Sequence, residues 1–354
     1  MNTIAKTNGA IEHVENEKLT NRVDKVLDSL GPNVIGWVHE DIPLLFIERH
    51  ASPACTMAEF VSWAASNRAE LDRLILEYGG ILLRRFPVTS AAQFNDFINV
   101  FPNYQPGYVG GGSPRSAIEG KILESTRYDE NLKIPLHSEM AYLKSYPARI
   151  AFFCRRASPV GGETIIGSMR MFMQHLPTAL REKLEKHQIH IVRNFAPAGT
   201  TPVIVDDSDK VCWNDAFYTD DRMKVEEHCK RLSAKPIWND DGSLTIINVM
   251  TAFTDHPLTG ERFYRSHIHS GGRVRQAGVD ADAVTEARRP SGYSLDGGET
   301  LGPDEIAIIK ALFDRIERSF PWNHGDVMIL DNLQVAHGRN PFSGPREVMV
   351  ALLE

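Results

Sequence analysis

The sequence predicts an α+β protein with a mostly antiparallel β core and flanking helices, folded as a single domain. Residues 147–169 and 324–354 each have the pattern of two strands joined by a tight turn. Amphipathic segments with helical spacing lie before and between these stretches, and no repeat or long linker divides the chain. Strands paired through turns, with helices set apart from them, indicate the α+β class.

The composition narrows the class of protein. Hydrophobic residues make up 42% and charged residues 24% of the 354 positions, as is ordinary for a soluble globular protein. The net charge of −7, with basic residues scattered, argues against nucleic acid as a partner. The four cysteines lack CxxC spacing and disulfide density, which predicts a reducing, cytoplasmic location. We expect no signal peptide and no membrane span, because no apolar stretch approaches about 20 residues.

The domain limits follow from the distribution of large apolar residues. Residues 1–30 are polar and are interpreted as a tail or peripheral helix, which leaves residues 31–354 as the single domain. Residues around 200–300 are rich in turn motifs and have the weakest periodicity, which indicates an insertion. Residues 107–121 form a Gly/Ser/Pro stretch without the spacing of a nucleotide-binding loop, and we interpret it as a mobile loop.

The individual elements follow from periodicity and end signals. Thr56 and Glu59 have the spacing of a capping box, and the helical spacing of apolar residues after them ends at Gly79-Gly80, which predicts a helix between these points. The other predicted elements are a buried strand at 81–88, helices at 91–102, 173–187 and 302–320, and strands at 189–195 and 244–250.

Four histidines stand two positions before an acidic residue. One or two such pairs are expected by chance from 13 histidines and 46 acidic residues. His137 and Glu139, in "IPLHSEMAY", lie in a stretch with strand character, where residues two apart share a face. Together with a second histidine they would leave three positions open on an octahedral iron. The other pairs are placed in a polar tail, in a turn before a proline and in a turn into a strand: His13/Glu15, His39/Asp41 and His324/Asp326.

Three separated motifs resemble the TauD/TfdA family of Fe(II)/2-oxoglutarate dioxygenases. They are "IPLHSEMAY", "PARIAFFCRRASPVGGET" and "GDVMILDNLQVAHGRNPFSGPREVMVAL", in this order. Within the family they resemble the branch of SyrP-like hydroxylases and clavaminate-synthase-like proteins. The resemblance is strong over residues 75–195 and 300–354 and looser between them. It implies a double-stranded β-helix (jelly-roll, cupin-like) core and the use of Fe(II), 2-oxoglutarate and O2.

The resemblance also implies roles for single residues. His137 and Glu139 match the family's His-x-Asp/Glu pair, and His337 in "VAHGR" matches its distal histidine. Thr164 in "GGET" matches a threonine that binds a 2-oxoglutarate carboxylate, and Arg346 in "GPREVMV" matches the arginine for the distal carboxylate. A guanidinium offers the planar fork that such a contact needs. The structural alternatives are a plain strand threonine and a surface arginine after a turn.

Three further features concern the substrate side. Val350 stands four residues after Arg346, where taurine dioxygenase and clavaminate synthase carry a second arginine for the substrate. A substrate acid group would therefore be bound elsewhere or be masked as a thioester or amide. His267-x-His269 is a rival metal pair on a predicted strand face, and residues 124 and 127 (Glu124, Arg127) precede the metal motif and could contact substrate.

The sequence thus predicts an oxygenase that hydroxylates an unactivated C–H bond of a small molecule. The branch resemblance implies an amino acid or amino-acid derivative, free or on a carrier protein, in specialised metabolite biosynthesis. Because Glu139 is present, oxygenation is expected rather than chlorination, whereas desaturation or cyclisation stays open. The alternatives from other classes are a zinc-dependent hydrolase using the same triad and a non-catalytic β-barrel binding protein. The oligomeric state is not predicted.

Overall fold

A nine-stranded mixed sheet is the central element of the fold. The computed structural model describes residues 22–50, 54–111, 115–125, 128–200, 211–270 and 291–354. Neighbouring strands of the sheet run antiparallel except for one parallel pair, β3 (Leu45–Arg49) with β4 (Gly80–Arg84). In spatial order its strands are β1 (Arg22–Lys25), β2 (Val34–His39), β3 (Leu45–Arg49), β4 (Gly80–Arg84), β18 (Val327–Asp331), β8 (Arg149–Arg156), β21 (Glu347–Leu353), β6 (Ile122–Glu124) and β5 (Ala117–Glu119).

A second, four-stranded sheet packs on the centre of the first. Its order is β17 (Glu317–Arg318), β10 (Thr164–Ser168), β19 (Val335–Arg339) and β7 (Ile134–His137). One buried cluster joins the sheets, since it contains Phe152 and Val350 of the large sheet and Ile166 and Val335 of the small one. Two sheets packed face to face over such a core form the predicted double-stranded β-helix, and the predicted fold class is confirmed.

Helices cover the outer faces of both sheets. Successive side chains of the large sheet point to opposite faces, so Ala151 and Phe153 of β8 belong to one buried cluster and Phe152 to another. That outer cluster is covered by α1 (Met57–Ser66), α2 (Arg68–Tyr78) and α3 (Ala91–Ile98), and the small sheet is covered by α4 (Met169–His175), α5 (Thr178–Lys186) and α8 (Pro303–Ile316). Two further short strands, β9 (Val160–Gly161) and β20 (Phe342–Ser343), pair antiparallel with each other. Within the described ranges, every helix is too short or too polar to cross a bilayer.

The predicted insertion around residues 200–300 contributes to a third sheet. Its strand order is β12 (Ala234–Trp238), β13 (Leu244–Met250), β11 (Ile189–Phe195) and β16 (Ser291–Leu295). The predicted strands at 189–195 and 244–250 are confirmed, and both alternate between buried and partly exposed residues. The same region holds α6 (Trp213–Phe217), α7 (Arg222–Arg231) and the hairpin β14 (Phe253–Asp255) with β15 (Arg262–Tyr264).

The predicted helix end signals are present, but two helices predicted as continuous are divided. The capping box of Thr56 and Glu59 is present, and Gly79 ends α2 in a left-handed conformation. The predicted single helix is nevertheless divided at Asn67, whose side chain donates to the Trp63 carbonyl at 2.9 Å. Pro177 likewise separates α4 from α5. Residues 1–21 of the predicted tail lie outside the described residues, whereas residues 22–25 form the edge strand β1.

Candidate metal centre

Two adjacent strands of the small sheet carry the candidate histidines. His137 of β7 stands directly opposite His337 of β19 in the antiparallel register. Their ring centroids lie 4.6 Å apart. His337 is also opposite Ile166, which belongs to the core between the sheets. The two imidazoles therefore project into the interior of the double-stranded β-helix.

Glu139 reaches the histidines through a turn. The strand β7 ends at His137, and Met140 has a left-handed backbone with φ of 54°. Asn332 holds this turn, because its Oδ1 accepts from the Glu139 N–H at 2.7 Å and its Nδ2 donates to the Glu139 carbonyl at 3.0 Å. The expectation that His137 and Glu139 share a strand face is therefore wrong for Glu139, which the Asn332 clamp positions.

The three side chains form a compact donor set. One ligand atom from each of His137, Glu139 and His337 lies within 4.8 Å of the others. The His137 Nδ1 lies 2.9 Å from the Pro135 carbonyl and can only donate to it, which leaves Nε2 as an acceptor. Burial lowers the pKa of His137 to about 4, and the charge of His337 adds to this effect. The imidazole of His137 is therefore neutral at neutral pH. A neutral imidazole is the form that binds a metal ion.

Arg115 completes the charge balance of the site. It donates to Glu139 Oε2 at 3.0 Å, and the two side chains are 5% and 4% exposed. Burial alone would raise the pKa of Glu139, but Arg115 and the two imidazoles lower it well below its usual range. The Arg115 guanidinium also stacks on the Tyr108 ring, 4.3 Å from its centroid. Glu139 is thus held as a carboxylate.

A cavity beside the triad brings the predicted cosubstrate residues together. Its walls include His137, Glu139 and His337 with Thr164 and Arg346. Further lining residues are Arg115, Ser125, Ile134, Ile150, Phe152, Gly338, Arg339, Val348 and Val350.

Each predicted cosubstrate side chain makes one hydrogen bond to a described residue. The Thr164 hydroxyl accepts from the Trp322 indole N–H at 3.1 Å. Arg346 donates through Nε to the Gly162 carbonyl at 2.8 Å. Burial, and next the charge of Arg339, lower the pKa of Arg346 to about 10, which still leaves it cationic at neutral pH. The arrangement offers a cation and a hydroxyl to an acidic ligand next to the triad.

The rival metal pair is not on a strand. His269 belongs to a 3-10 turn, Ile268–Ser270, and stacks on Phe313 with its Nε2 3.1 Å from the Leu136 carbonyl. His267 faces the site, with its ring 6.2 Å from that of His137. The two imidazoles therefore point to different environments, and within the described part of the chain only the 137/139/337 group has metal-binding spacing.

The other sequence candidates have structural roles or lie elsewhere. Asp326 accepts from the Asn323 N–H and from Arg84 just before β18, so the prediction that the pair lies in a turn into a strand is confirmed. His39 packs edge-on against Trp37 in β2. Glu124 belongs to β6 opposite Met349. Arg127 and the pair His13/Glu15 lie outside the described residues.

Three contributors to the site were missed by sequence reasoning: Arg115, Asn332 and Trp322. Arg115 lies in the glycine-rich stretch interpreted as a mobile loop, and no local pattern distinguishes it from a surface arginine. Asn332 stands beside Asp331 in a turn between strands, where asparagine is ordinary. Their partners lie 24 and 193 positions away, so only the folded chain reveals the contacts.

The fold and the donor set together define a double-stranded β-helix protein with a candidate metal centre. Comparison with known proteins identifies its family. The family described as taurine catabolism dioxygenase TauD, TfdA family, matches residues 50–352. A clavaminate synthase-like protein of Arabidopsis thaliana is 28% identical over 310 residues, covering 85% of this chain and 89% of that protein. The dapdiamide synthesis protein DdaC of Enterobacter agglomerans is 27% identical over 290 residues, covering 80% and 84%.

Solved structures of other proteins also align with this chain. PvcB from Pseudomonas aeruginosa aligns with a TM-score of 0.49 and 15% identity, covering 98% of this chain and 95% of that chain. AAD-2 in complex with Mn(II) and N-oxalylglycine aligns with a TM-score of 0.49 and 12% identity, covering 94% and 96%.

The chain belongs to the TauD/TfdA family. It is accordingly a 2-oxoglutarate-dependent non-haem iron dioxygenase that uses Fe(II), 2-oxoglutarate and O2 and acts on a small molecule.

Proposed function

We propose that this enzyme hydroxylates an unactivated C–H bond of an amino acid or amino-acid derivative, free or carrier-tethered, in specialised metabolite biosynthesis. We further propose His137, Glu139 and His337 as the iron ligands and Thr164 and Arg346 as the 2-oxoglutarate residues. The observation that carries the proposal is the convergence of all five side chains on one cavity from four separate stretches of the chain.

The donor set fits a resident metal ion. His337 Nε2 lies 3.7 Å from Glu139 Oε2, too long for a hydrogen bond. Two ligands each about 2.1 Å from one ion are at most about 4.2 Å apart, so this pair can share an ion. The other ring nitrogen of His337, Nδ1, is buried without a hydrogen-bond partner among the described residues. A cation bound at Nε2 would therefore give this imidazole a polar partner, while Nδ1 remains the nitrogen that carries the ring proton.

The residues around the ion would prepare the site. His137 is fixed in the acceptor tautomer by the Pro135 carbonyl, and Arg115 keeps Glu139 deprotonated. Arg346 and Thr164 would bind the carboxylates of 2-oxoglutarate, with the Gly162 carbonyl orienting the guanidinium. When bound, iron and 2-oxoglutarate supply the O2-dependent oxidation of the family, with release of succinate and CO2.

Glu139 supports oxygenation as the outcome, because a carboxylate at this position occupies the coordination site that a chloride ion would need. Desaturation or cyclisation of the same substrate class is the alternative outcome. The substrate class is supported by the similarity to DdaC, a dapdiamide synthesis protein. A reducing location, the cytoplasm, is proposed because all four cysteines are free thiols.

The test combines cosubstrate binding with product release. Anaerobic addition of Fe(II) and 2-oxoglutarate to the protein should produce a visible metal-to-ligand charge-transfer band. When O2 is then admitted, the enzyme should release succinate with at least one member of a panel of free and carrier-bound amino acids. His137→Ala should abolish both signals. His324→Ala, which changes another His-x-acid pair, is the matched control and should retain them. Hydrolytic activity supported by zinc without 2-oxoglutarate would contradict the proposal in favour of a zinc hydrolase. Absence of the band from the wild-type protein would favour a non-catalytic binding protein.

A further inference from the structure

Two polar residues interrupt the apolar face of the third sheet at one place. The buried positions of β11 are otherwise aliphatic or aromatic, yet Arg193 occupies one of them and is 8% exposed. The buried positions of β13 are likewise apolar except for Asn248, which is 1% exposed. The two side chains touch, with Arg193 Nη2 3.4 Å from Asn248 Oδ1.

The charge of Arg193 has no counter-ion in the described part of the chain. Its hydrogen bonds go to the neutral carbonyl of Gly110 and the neutral amide of Asn248. The guanidinium also lies over the rings of Tyr142 and Phe195, at 4.4 and 5.6 Å from their centroids. Buried cations are normally paired with a carboxylate, because desolvation is costly without one.

Two hydrogen-bond donors at this place also lack acceptors. Arg193 Nε and Asn248 Nδ2 are buried and make no hydrogen bond to any described residue. Both atoms can only donate. A group that satisfied them would therefore have to be an acceptor, and the uncompensated positive charge favours an anionic one.

A chain of ring contacts connects this pair with the metal centre. Arg193 lies on the Tyr142 ring, and Tyr142 follows Glu139 by three residues. The Tyr142 ring is 5.6 Å from His267, and His267 is 6.2 Å from His137. The cationic Arg339 and Arg346, by contrast, line the cavity with Thr164. Among the described residues, Arg339 and Arg346 thus lie on the cosubstrate side of the triad, and Arg193 lies apart from them beside Tyr142.

We propose that Arg193 and Asn248 bind a free carboxylate of the substrate. This inference rests on the proposed hydroxylase function and makes it more specific, since the substrate then carries an ionised acid group. The carboxylate accepts from Arg193 Nε and Asn248 Nδ2. In a free amino acid the group is the α-carboxylate, and in a carrier-tethered substrate, whose α-carboxyl is a thioester, it is a side-chain carboxylate.

The opposing explanation is that Arg193 has a purely structural role, as a strut that holds the loop at Gly110 by a hydrogen bond to its carbonyl. A neutral carbonyl can orient a guanidinium but does not neutralise it, and a strut requires no donor at Asn248 Nδ2. The two explanations differ in what a carboxylate placed at residue 248 would do. Asn248→Asp is nearly isosteric, would give Arg193 an internal counter-ion and would replace the Nδ2 donor with an oxygen that repels a substrate carboxylate.

The experiment measures binding without turnover. Holoenzyme with Fe(II) and 2-oxoglutarate is titrated anaerobically by calorimetry with L-amino acids, with the matching carboxamides and with N-acetylcysteamine thioesters. The wild-type protein should bind at least one free carboxylate, and conversion of that carboxylate into an amide should weaken binding roughly 30-fold or more, the loss expected when a buried charge loses its partner. A responding free amino acid indicates the α-carboxylate, and a thioester that responds only when its side chain is acidic indicates the side-chain carboxylate.

Variants then separate recognition from structure. Arg193→Met and Asn248→Asp should both weaken binding of the responding acid by a similar factor, and Asn248→Asp should raise the melting temperature. If Arg193→Met does not fold, Asn248→Asp alone decides. Equal binding of acids and carboxamides, unchanged acid binding in Asn248→Asp, or no response to any carboxylate would overturn the inference. The charge-transfer band of the wild-type protein tests the proposed function separately, so the two can fail independently.

Discussion

Arg115 and Glu139 form a buried ion pair within the candidate metal centre, with Nη2 and Oε2 3.0 Å apart. The pair joins the glycine-rich stretch 107–121 to the turn that follows β7. It gives the carboxylate a positive neighbour whether or not a metal ion is bound.

Replacing Arg115 with methionine should destabilise the metal-free protein more than the metal-loaded one. Without Arg115, Glu139 is a buried charge that lacks its cation, which costs about 3–5 kcal/mol, whereas a bound divalent ion would compensate it. Urea unfolding with and without Mn(II) measures the difference. The control Arg73→Met breaks the more exposed pair with Glu70 and should cost less than about 1 kcal/mol. An equal loss with and without metal would contradict the prediction.

The metal-free protein should lose stability as the pH falls below neutrality. Burial lowers the pKa of His137 and His228 to about 4 and that of His267 to about 3, from 6.5. Because the folded pKa values are depressed, the unfolded chain binds more protons below pH 6.5. The stability from these neutral imidazoles is therefore fully present above pH 6.5 and is lost as the pH falls towards 4.

Each such histidine should contribute up to about 1.4 kcal/mol per pH unit. The free energy of unfolding at pH 7, 6 and 5 measures the slope. His228→Gln, distant in sequence from the triad, should reduce the slope by about one proton. A free energy of unfolding that is constant from pH 7 to 5 would show the prediction to be wrong.

Asn332→Ala should impair metal binding without removing a ligand. The substitution leaves the backbone groups of Glu139 without their buried partners, so we expect a loss of about 2–3 kcal/mol. Because the turn then holds the carboxylate less firmly, metal affinity should fall about 10- to 100-fold. Competition with a chelating dye measures the affinity. Asn239→Ala, in an exposed turn where Asn239 bonds Ser243 and Thr245, should leave metal affinity unchanged.

Gly162→Ala should weaken 2-oxoglutarate binding while metal binding persists. A Cβ on Gly162 would lie 3.0 Å from Arg346 Cδ and 3.1 Å from its Nε, so the guanidinium must move. Gly199→Ala is the matched control, because its φ of +70° resembles the +77° of Gly162 but its Cβ would meet no described residue within 4 Å. Both should lose about 1–2 kcal/mol of stability from backbone strain. Titration of the charge-transfer band should show weaker 2-oxoglutarate binding for Gly162→Ala alone.

The local signals of the sequence identified many elements correctly. The alternation of β11 and β13 and the capping box at Thr56 involve residues close together in the chain, so a short window contains the whole signal. Errors arose where a side chain or a proline acts on the backbone locally, as at Asn67 and Pro177, which divide helices that the apolar spacing predicted as continuous.

For the candidate site, the sequence by itself determined which residues we propose, namely His137, Glu139 and His337 with Thr164 and Arg346, because motif order and chemistry point to them together. Only the tertiary structure decided how Glu139 is held, since its clamp comes from Asn332 and its counter-ion from Arg115. It also decided that Arg193 and Asn248 meet on a buried face. The physical reason is that burial and electrostatic pairing depend on distances in the folded chain, whereas motifs report only spacing along it.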